Sequence, residues 1–179
     1  DADDWISPLY LERMTEKLQS GSRLDAVHCA SVRVALDGTL VSDDYQVPTG
    51  DLFPTLACHV AFCVHACVLR RSFIDQVGDF DTSLKKAADW DFWQRVARTG
   101  AQFGAVREVL AYYRMTPNSS SLGAEQLFRV VLTVLKRGHA PDPRVRCPHP
   151  DHVNGLQTPT VENQEFYLLC WGAGLLLGS

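Results

Sequence analysis

Three acidic-aromatic clusters, set in a fixed order, constrain the fold of this chain more than any other feature. They are Asp1-Ala2-Asp3-Asp4-Trp5, Asp89-Trp90-Asp91-Phe92-Trp93 and Tyr112-Tyr113-Arg114. An Asp-x-Asp at a strand end supplies hard carboxylate oxygens, which suit Mg²⁺ or Mn²⁺ shared with substrate phosphates. The triplet alone is a short signal. Its weight comes from its order and spacing relative to the later clusters.

Ser7-Pro8 reads as a helix start, with Ser as N-cap and Pro at the first helical position. Leu9, Leu11, Met14 and Leu18 would form its apolar stripe, and Gly21 its stop. Asp25 to Leu36 reads as a strand, Asp37-Gly38 as a hairpin turn and Thr39 to Ser42 as the returning strand. Asp51 to Cys58 suggests a short helix limited by Pro54. The apolar run from Val60 to Leu69 suggests a central strand buried on both faces. Arg70 to Val77 reads as a short helix closed by Gly78. Residues 88 to 98 form a helix by periodicity, with Trp90, Trp93 and Ala97 on one face. Gly100 ends it. Gln102 to Val106 and Val109 to Arg114 read as two strands, Pro117 to Ser121 as a loop and Leu127 to Leu135 as a helix. The proline-rich stretch from His139 to Thr160 reads as loop.

The 179 residues are enough for a domain with a real core, and 46% hydrophobic with 21% charged residues is a globular composition. A net charge of -4 without a basic run gives no nucleic-acid footprint. Cys29, Cys58, Cys63, Cys67, Cys147 and Cys170 show no disulfide framework, which favours a reducing cytosol. The apolar stretch from Phe166 to Gly178 is too short to span a bilayer. It suggests a buried helix, a dimer contact or a peripheral membrane contact. The chain has no initiator Met and opens on a motif that normally follows a buried strand, so it reads as cut from a longer protein.

In order, these pieces resemble the second half of a family 2 glycosyltransferase with a GT-A fold. The matching stretches are Asp1-Ala2-Asp3-Asp4-Trp5, Ser7-Pro8, Asp37-Gly38, Arg70-Arg71, Gly78-Asp79-Phe80-Asp81, Ala88 to Arg95, Gly100 and Tyr113 to Ser121. The resemblance covers about residues 1 to 121, leaving 122 to 179 as a helical and loop extension. It implies a partial GT-A mixed sheet flanked by helices, with the upstream nucleotide-binding half missing. It also implies metal-dependent, inverting transfer of a sugar from a nucleotide-diphosphate sugar. The acceptor could be a carbohydrate, a lipid-linked molecule, a protein or a small molecule. The expected location is the cytoplasm, with the inner membrane face as an alternative, and polysaccharide biosynthesis is a natural setting.

By the same resemblance, Asp3 and Asp1 hold the Mn²⁺ or Mg²⁺. Asp1, Asp4, Arg114 and Tyr113 bind the donor, and Asp89 is the general base. Two positions depart from the family pattern. Ala88 stands where the family has Glu, and Thr116 where it has a metal-binding His. These departures leave room for a non-catalytic GT-A-like domain that binds sugar or protein. A divalent-cation nucleotidyltransferase is a third reading.

Each residue also has a structural role to weigh. Asp89 suits a helix N-terminus through the macrodipole. Asp91 and Arg95 form an i,i+4 ion pair. Trp90 and Trp93 fit a core. His28, His59 and His65 read as structural, His65 with the further option of lining the donor pocket. Cys147, His149 and His152 fit a plain loop better than a zinc site.

Overall fold

The computed structural model describes residues 3–20, 23–44, 47–115 and 124–177, without the side chains at 43–44, 124–126 and 171–177. Contacts divide the chain into two units. One contains Asp1–Leu52, Ala61–Arg71 and Ala101–Ser119; the other contains Phe53–Val60, Ser72–Gly100 and Ser120–Ser179.

The first unit is a six-stranded mixed sheet with one long helix. Its strands are β1 (Trp5–Ile6), β2 (Ala26–Val34), β3 (Leu40–Asp44), β4 (Gly50–Asp51), β5 (Cys67–Leu69) and β6 (Gln102–Arg114). The order is β1-β6-β2-β3, with β4 also on β6 and β5 also on β2. Among the described residues β2 and β6 pair in parallel and the other pairs are antiparallel.

β2 is buried along nearly its whole length, which explains its run of Val, Ala and Cys with few charges. Its buried polar residue His28 is satisfied through a 2.7 Å contact from Nε2 to the Pro48 carbonyl. The Asp37-Gly38 turn forms as expected. Asp37 accepts the Thr39 amide, and Gly38 takes a positive φ of 87°.

Three expectations for this unit need correction. The central buried strand is β2, not Val60 to Leu69. That run contains a 3-10 turn at Val64–Ala66 and only a three-residue strand, with Val60 exposed. A short apolar run does not by itself distinguish a strand from a buried turn. Gln102 to Arg114 is one bulged strand rather than two. Cys29 pairs with Val106, Ala30 with Val109 and Ser31 with Ala111, so Arg107 and Glu108, and then Leu110, are the inserted residues. Finally, α1 spans Tyr10–Gln19 and buries Tyr10 and Met14, while Leu9 and Leu11 are exposed. Ser7 accepts the Leu9 amide at 3.2 Å, so the cap acts one turn ahead of the helix. The expected stop, Gly21, lies outside the described residues.

The second unit is helical: α2 (Phe53–Leu56), α3 (Ser72–Val77), α4 (Ala88–Arg98), α5 (Ala124–Gly138) and α6 (Val161–Leu177). α4 is its axis, with nine of its eleven residues buried. Trp90 donates its indole N–H to the Leu56 carbonyl at 2.7 Å, and Trp90 and Trp93 are core residues. Gly138 closes α5 where a Cβ would lie 2.7 Å from the Ala57 carbonyl and from the Gln94 amide. The loop after α5 holds a 3-10 turn at Pro150–His152. In α6 Phe166, Tyr167 and Leu169 are exposed, and the side chains of the rest of the apolar stretch, from 171 on, lie outside the described residues. No helix among the described residues is long and apolar enough to cross a membrane. All six cysteines are free thiols: Cys29 is buried, Cys58, Cys63 and Cys67 half-buried, and Cys147 and Cys170 exposed.

Candidate functional site

The acidic segment that opens the chain is bolted to the C-terminal end of β6. β1 pairs antiparallel with it, Trp5 opposite Tyr112 and Ile6 opposite Ala111. The Trp5 and Tyr112 rings stack at 5.1 Å with only 3° between their planes. The Arg114 guanidinium lies 4.9 Å from the Trp5 ring centre. Stacking and cation–π contacts of this kind contribute on the order of 1–2 kcal/mol together.

Hydrogen bonds then fix the acids. The Arg114 amide donates to Asp4 Oδ1 at 2.8 Å, and Arg114 Nε donates to the Asp3 carbonyl at 3.0 Å. The two neighbouring carboxylates therefore differ in environment. Asp4 is turned inward, its side chain 4% exposed, with Oδ2 3.5 Å from His65 Nδ1. Asp3 is exposed. Asp3 thus offers a hard oxygen donor to solvent, which fits a divalent cation held together with phosphate oxygens. Tyr112 and Arg114 both reach Trp5, so strand alternation sends Tyr113 to the other face of β6. Asp1 and Thr116 lie outside the described residues.

Asp89 belongs to the second unit, as the second residue of α4. It is half-buried. Two residues on, Asp91 is fully buried and surrounded by guanidinium groups. Arg95 Nε donates to its Oδ2 at 3.1 Å and Arg137 NH1 to its Oδ1 at 2.8 Å. Arg144 donates to both oxygens, at 3.0 and 2.9 Å. Asp81 takes further bonds from Arg137 and Arg144, and Asp142 a 2.6 Å bond from Arg144. The Ser83 hydroxyl and amide, followed by Arg137, hold Asp81 down at about 2. Burial works against ionisation of Asp142, but the hydrogen bonds from Arg144 outweigh it and lower its pKa. The Asp91 and Arg95 pair expected from i,i+4 spacing is therefore a buried structural pair.

Arg95 also reaches the end of α3. It donates to the carbonyls of Val77, Gly78 and Asp79, the last at 2.8 Å. Beside it lies an open pocket of about 390 Å³, lined among others by Asp75, Gln76, Asp79 and Arg146. Arg137, Arg144 and Asp142 were not singled out from the sequence. They sit in a loop and a helix end far from Asp91 in sequence, where periodicity carries no signal. The Cys147, His149 and His152 loop shows a tilted 5.2 Å ring contact between the two histidines and no zinc arrangement. Among the described residues no three His, Cys, Asp or Glu side chains are grouped to hold a metal.

The six-stranded mixed sheet with its helices is a mixed α/β fold. It is similar to the crystal structure of S. aureus TarS 1–349 in complex with UDP, with a TM-score of 0.51 and 14% identity. That likeness covers 94% of this chain and 44% of the TarS chain. It is also similar to the crystal structure of S. aureus TarS, with a TM-score of 0.50, 16% identity, and 75% and 23% of the two chains covered. The chain spans less than half the length of these neighbours, and at such identity the likeness is one of fold. No protein-family model and no curated protein matches the chain.

Proposed function

We propose that this chain is part of a metal-dependent, inverting glycosyltransferase that uses a nucleotide-diphosphate sugar. The observation that carries the reading is the pair of unequal carboxylates at the start of β1. Asp4 is buried and held by the Arg114 amide, while Asp3 is exposed beside the same arginine. A rigidly mounted, solvent-facing carboxylate next to a guanidinium suits a cation and a diphosphate better than it suits a plain turn. The fold likeness to TarS, crystallised in complex with UDP, adds support for a nucleotide-linked donor.

In this reading Asp3, with Asp1, holds Mn²⁺ or Mg²⁺, and Asp4 supports that shell. The cation supplies neutralisation of the charge that builds on the leaving diphosphate. Arg114 is the proposed diphosphate contact, ahead of Tyr113, because it shares a face with Trp5 and bonds the Asp3 backbone. Asp89 is the proposed general base. It is half-buried at the start of α4, whereas its neighbour Asp91 is already bound by three arginines. The acceptor is a hydroxyl compound of carbohydrate, lipid-linked or protein nature.

The test is isothermal titration of the intact protein with Mn²⁺ and UDP. Asp3→Asn removes one charge and one hard ligand, so Mn²⁺ binding in the presence of UDP should be largely lost. Unchanged binding in that variant would overturn the assignment.

A further inference from the structure

We propose that Trp5 is a positioning residue for Arg114, steadying its guanidinium so that one free edge meets the donor's diphosphate; the inference rests on the reading just given. Trp5 opens the two-residue strand β1 and is exposed, yet its indole is in contact with two side chains of β6. It stacks on Tyr112, its cross-strand partner, at 5.1 Å with 3° between the planes. The Arg114 guanidinium carbon lies 4.9 Å from the centre of the same indole. All three residues belong to the sheet unit.

The donors of Arg114 are unevenly used. An arginine carries five N–H groups on a planar fork. Nε of Arg114 donates to the Asp3 carbonyl at 3.0 Å, and the guanidinium lies over the indole. Among the described residues, its two terminal nitrogens take part in no hydrogen bond or ion pair. Arg95 and Arg144 differ, since both terminal nitrogens of each are taken up by protein oxygens. The unused edge of Arg114 is the one that pairs with two oxygens of a phosphate. A fork held at its face and at Nε, with that edge free, is set to receive an anion.

Trp5 supplies what one hydrogen bond cannot. A single bond at Nε tethers the long side chain but leaves the fork free to tilt about it. An aromatic face attracts the cation through the ring quadrupole, and indole does so more strongly than phenol or benzene. Strand alternation puts Tyr112 and Arg114 on one face of β6, so Tyr112 orients the indole that Arg114 rests on. Ordering the fork before the ligand arrives removes part of the entropy lost on binding. Trp5 therefore acts on the diphosphate through Arg114, without a contact of its own.

The experiment measures UDP affinity in the presence of Mn²⁺ for the intact protein, with the melting temperature recorded beside it. The variants are Trp5→Leu, Trp5→Phe, Arg114→Ala, the double variant Trp5→Leu with Arg114→Ala, and Asp3→Asn. Trp5→Leu should weaken UDP binding about 3–30-fold, the affinity equivalent of one cation–π contact, and Trp5→Phe should recover most of the loss. Once Arg114 is Ala, adding Trp5→Leu should cost nothing further, because its effect runs through that side chain. Wild-type affinity in Trp5→Leu overturns the inference. So does an equal loss in Trp5→Phe, or the full loss again on top of Arg114→Ala. If Trp5→Leu fails to fold, a fluorinated tryptophan placed at this position decides. It keeps the ring's shape and weakens its negative face, so UDP affinity should fall, and unchanged affinity overturns the inference. Mn²⁺ binding lost in Asp3→Asn with wild-type UDP affinity in the Trp5 variants overturns this inference and leaves the proposed function in place. Unchanged binding in both Asp3→Asn and Arg114→Ala overturns both.

Discussion

Asp89 and Asp91 lie two positions apart on one helix and have opposite environments. Asp91 has no exposed surface and three arginines on it, and Asp91→Asn leaves the buried Arg95 guanidinium without its counter-charge. Breaking such a buried cluster costs about 3–5 kcal/mol. Asp89 is only half-buried at the first turn of α4, and Asn is close to Asp in its preference for helix starts. Asp89→Asn should therefore cost at most about 1 kcal/mol, the scale of the helix-dipole contribution. On the proposed function it should also slow transfer at least about 10²-fold, with donor affinity nearly intact. The check is kcat for transfer, donor Kd and urea unfolding on both variants. If Asp89→Asn leaves kcat within a factor of about three, the general-base role falls. From the sequence alone the two acids are hard to separate. What distinguishes them is the arrival of Arg137 and Arg144 from distant segments, and no local pattern encodes that.

At the scale of elements, α4 organises its unit through its arginines as well as its tryptophans. Arg95 closes the C-terminus of α3, and Arg98 does the same for α5. Arg98 is fully buried and donates to the Arg137 carbonyl at 2.7 Å and the His152 carbonyl at 2.8 Å. Its guanidinium also lies 4.7 Å from the Phe53 ring centre. Cations suit helix C-termini, and a planar fork serves two carbonyls that an ammonium cannot. Arg98→Lys should destabilise the protein by on the order of 2–3 kcal/mol, read as a lower urea midpoint at unchanged slope. Little or no shift would show that the carbonyls find water instead. The extent of α4 was legible because Trp90, Trp93 and Ala97 repeat at helical spacing and Gly100 follows. The arginine caps were not legible, since a charged residue on the same helix normally reads as solvent-facing. The Val60 to Leu69 run was misread for the converse reason: Phe62 and Ala66 are buried by a turn, and burial alone imitates a strand.

For the molecule as a whole, acid sensitivity follows from the carboxylates that the arginines hold. Asp81 is lowered from 3.8 to about 2, first through Ser83 and then through Arg137. A carboxyl group depressed on folding stabilises the protein above its unfolded pKa. That stabilisation disappears as pH falls through the folded value. Wild type should thus exceed Asp81→Asn in melting temperature near neutral pH, and the two curves should converge between about pH 4 and pH 2. A gap that persists at pH 2 would assign the effect of Asp81→Asn to lost packing rather than lost charge. The α/β class was readable through the family resemblance that the order of the acidic-aromatic clusters and the motifs between them carries. The identity of the central strand was not, because β2 carries His28 and Ser31 among its apolar residues and so looks less buried than it is.

The uneven exposure of the thiols has a practical side. Burial raises the pKa of Cys29 to about 12 and lifts those of Cys58, Cys63 and Cys67 as well. Cys147 and Cys170 are exposed, and both belong to the helical unit. Since only the thiolate reacts, a brief maleimide treatment at neutral pH favours those two positions. They provide built-in attachment points for fluorophores or spin labels on one unit. A single cysteine introduced on the surface of the sheet unit would then supply the second end of a molecular ruler.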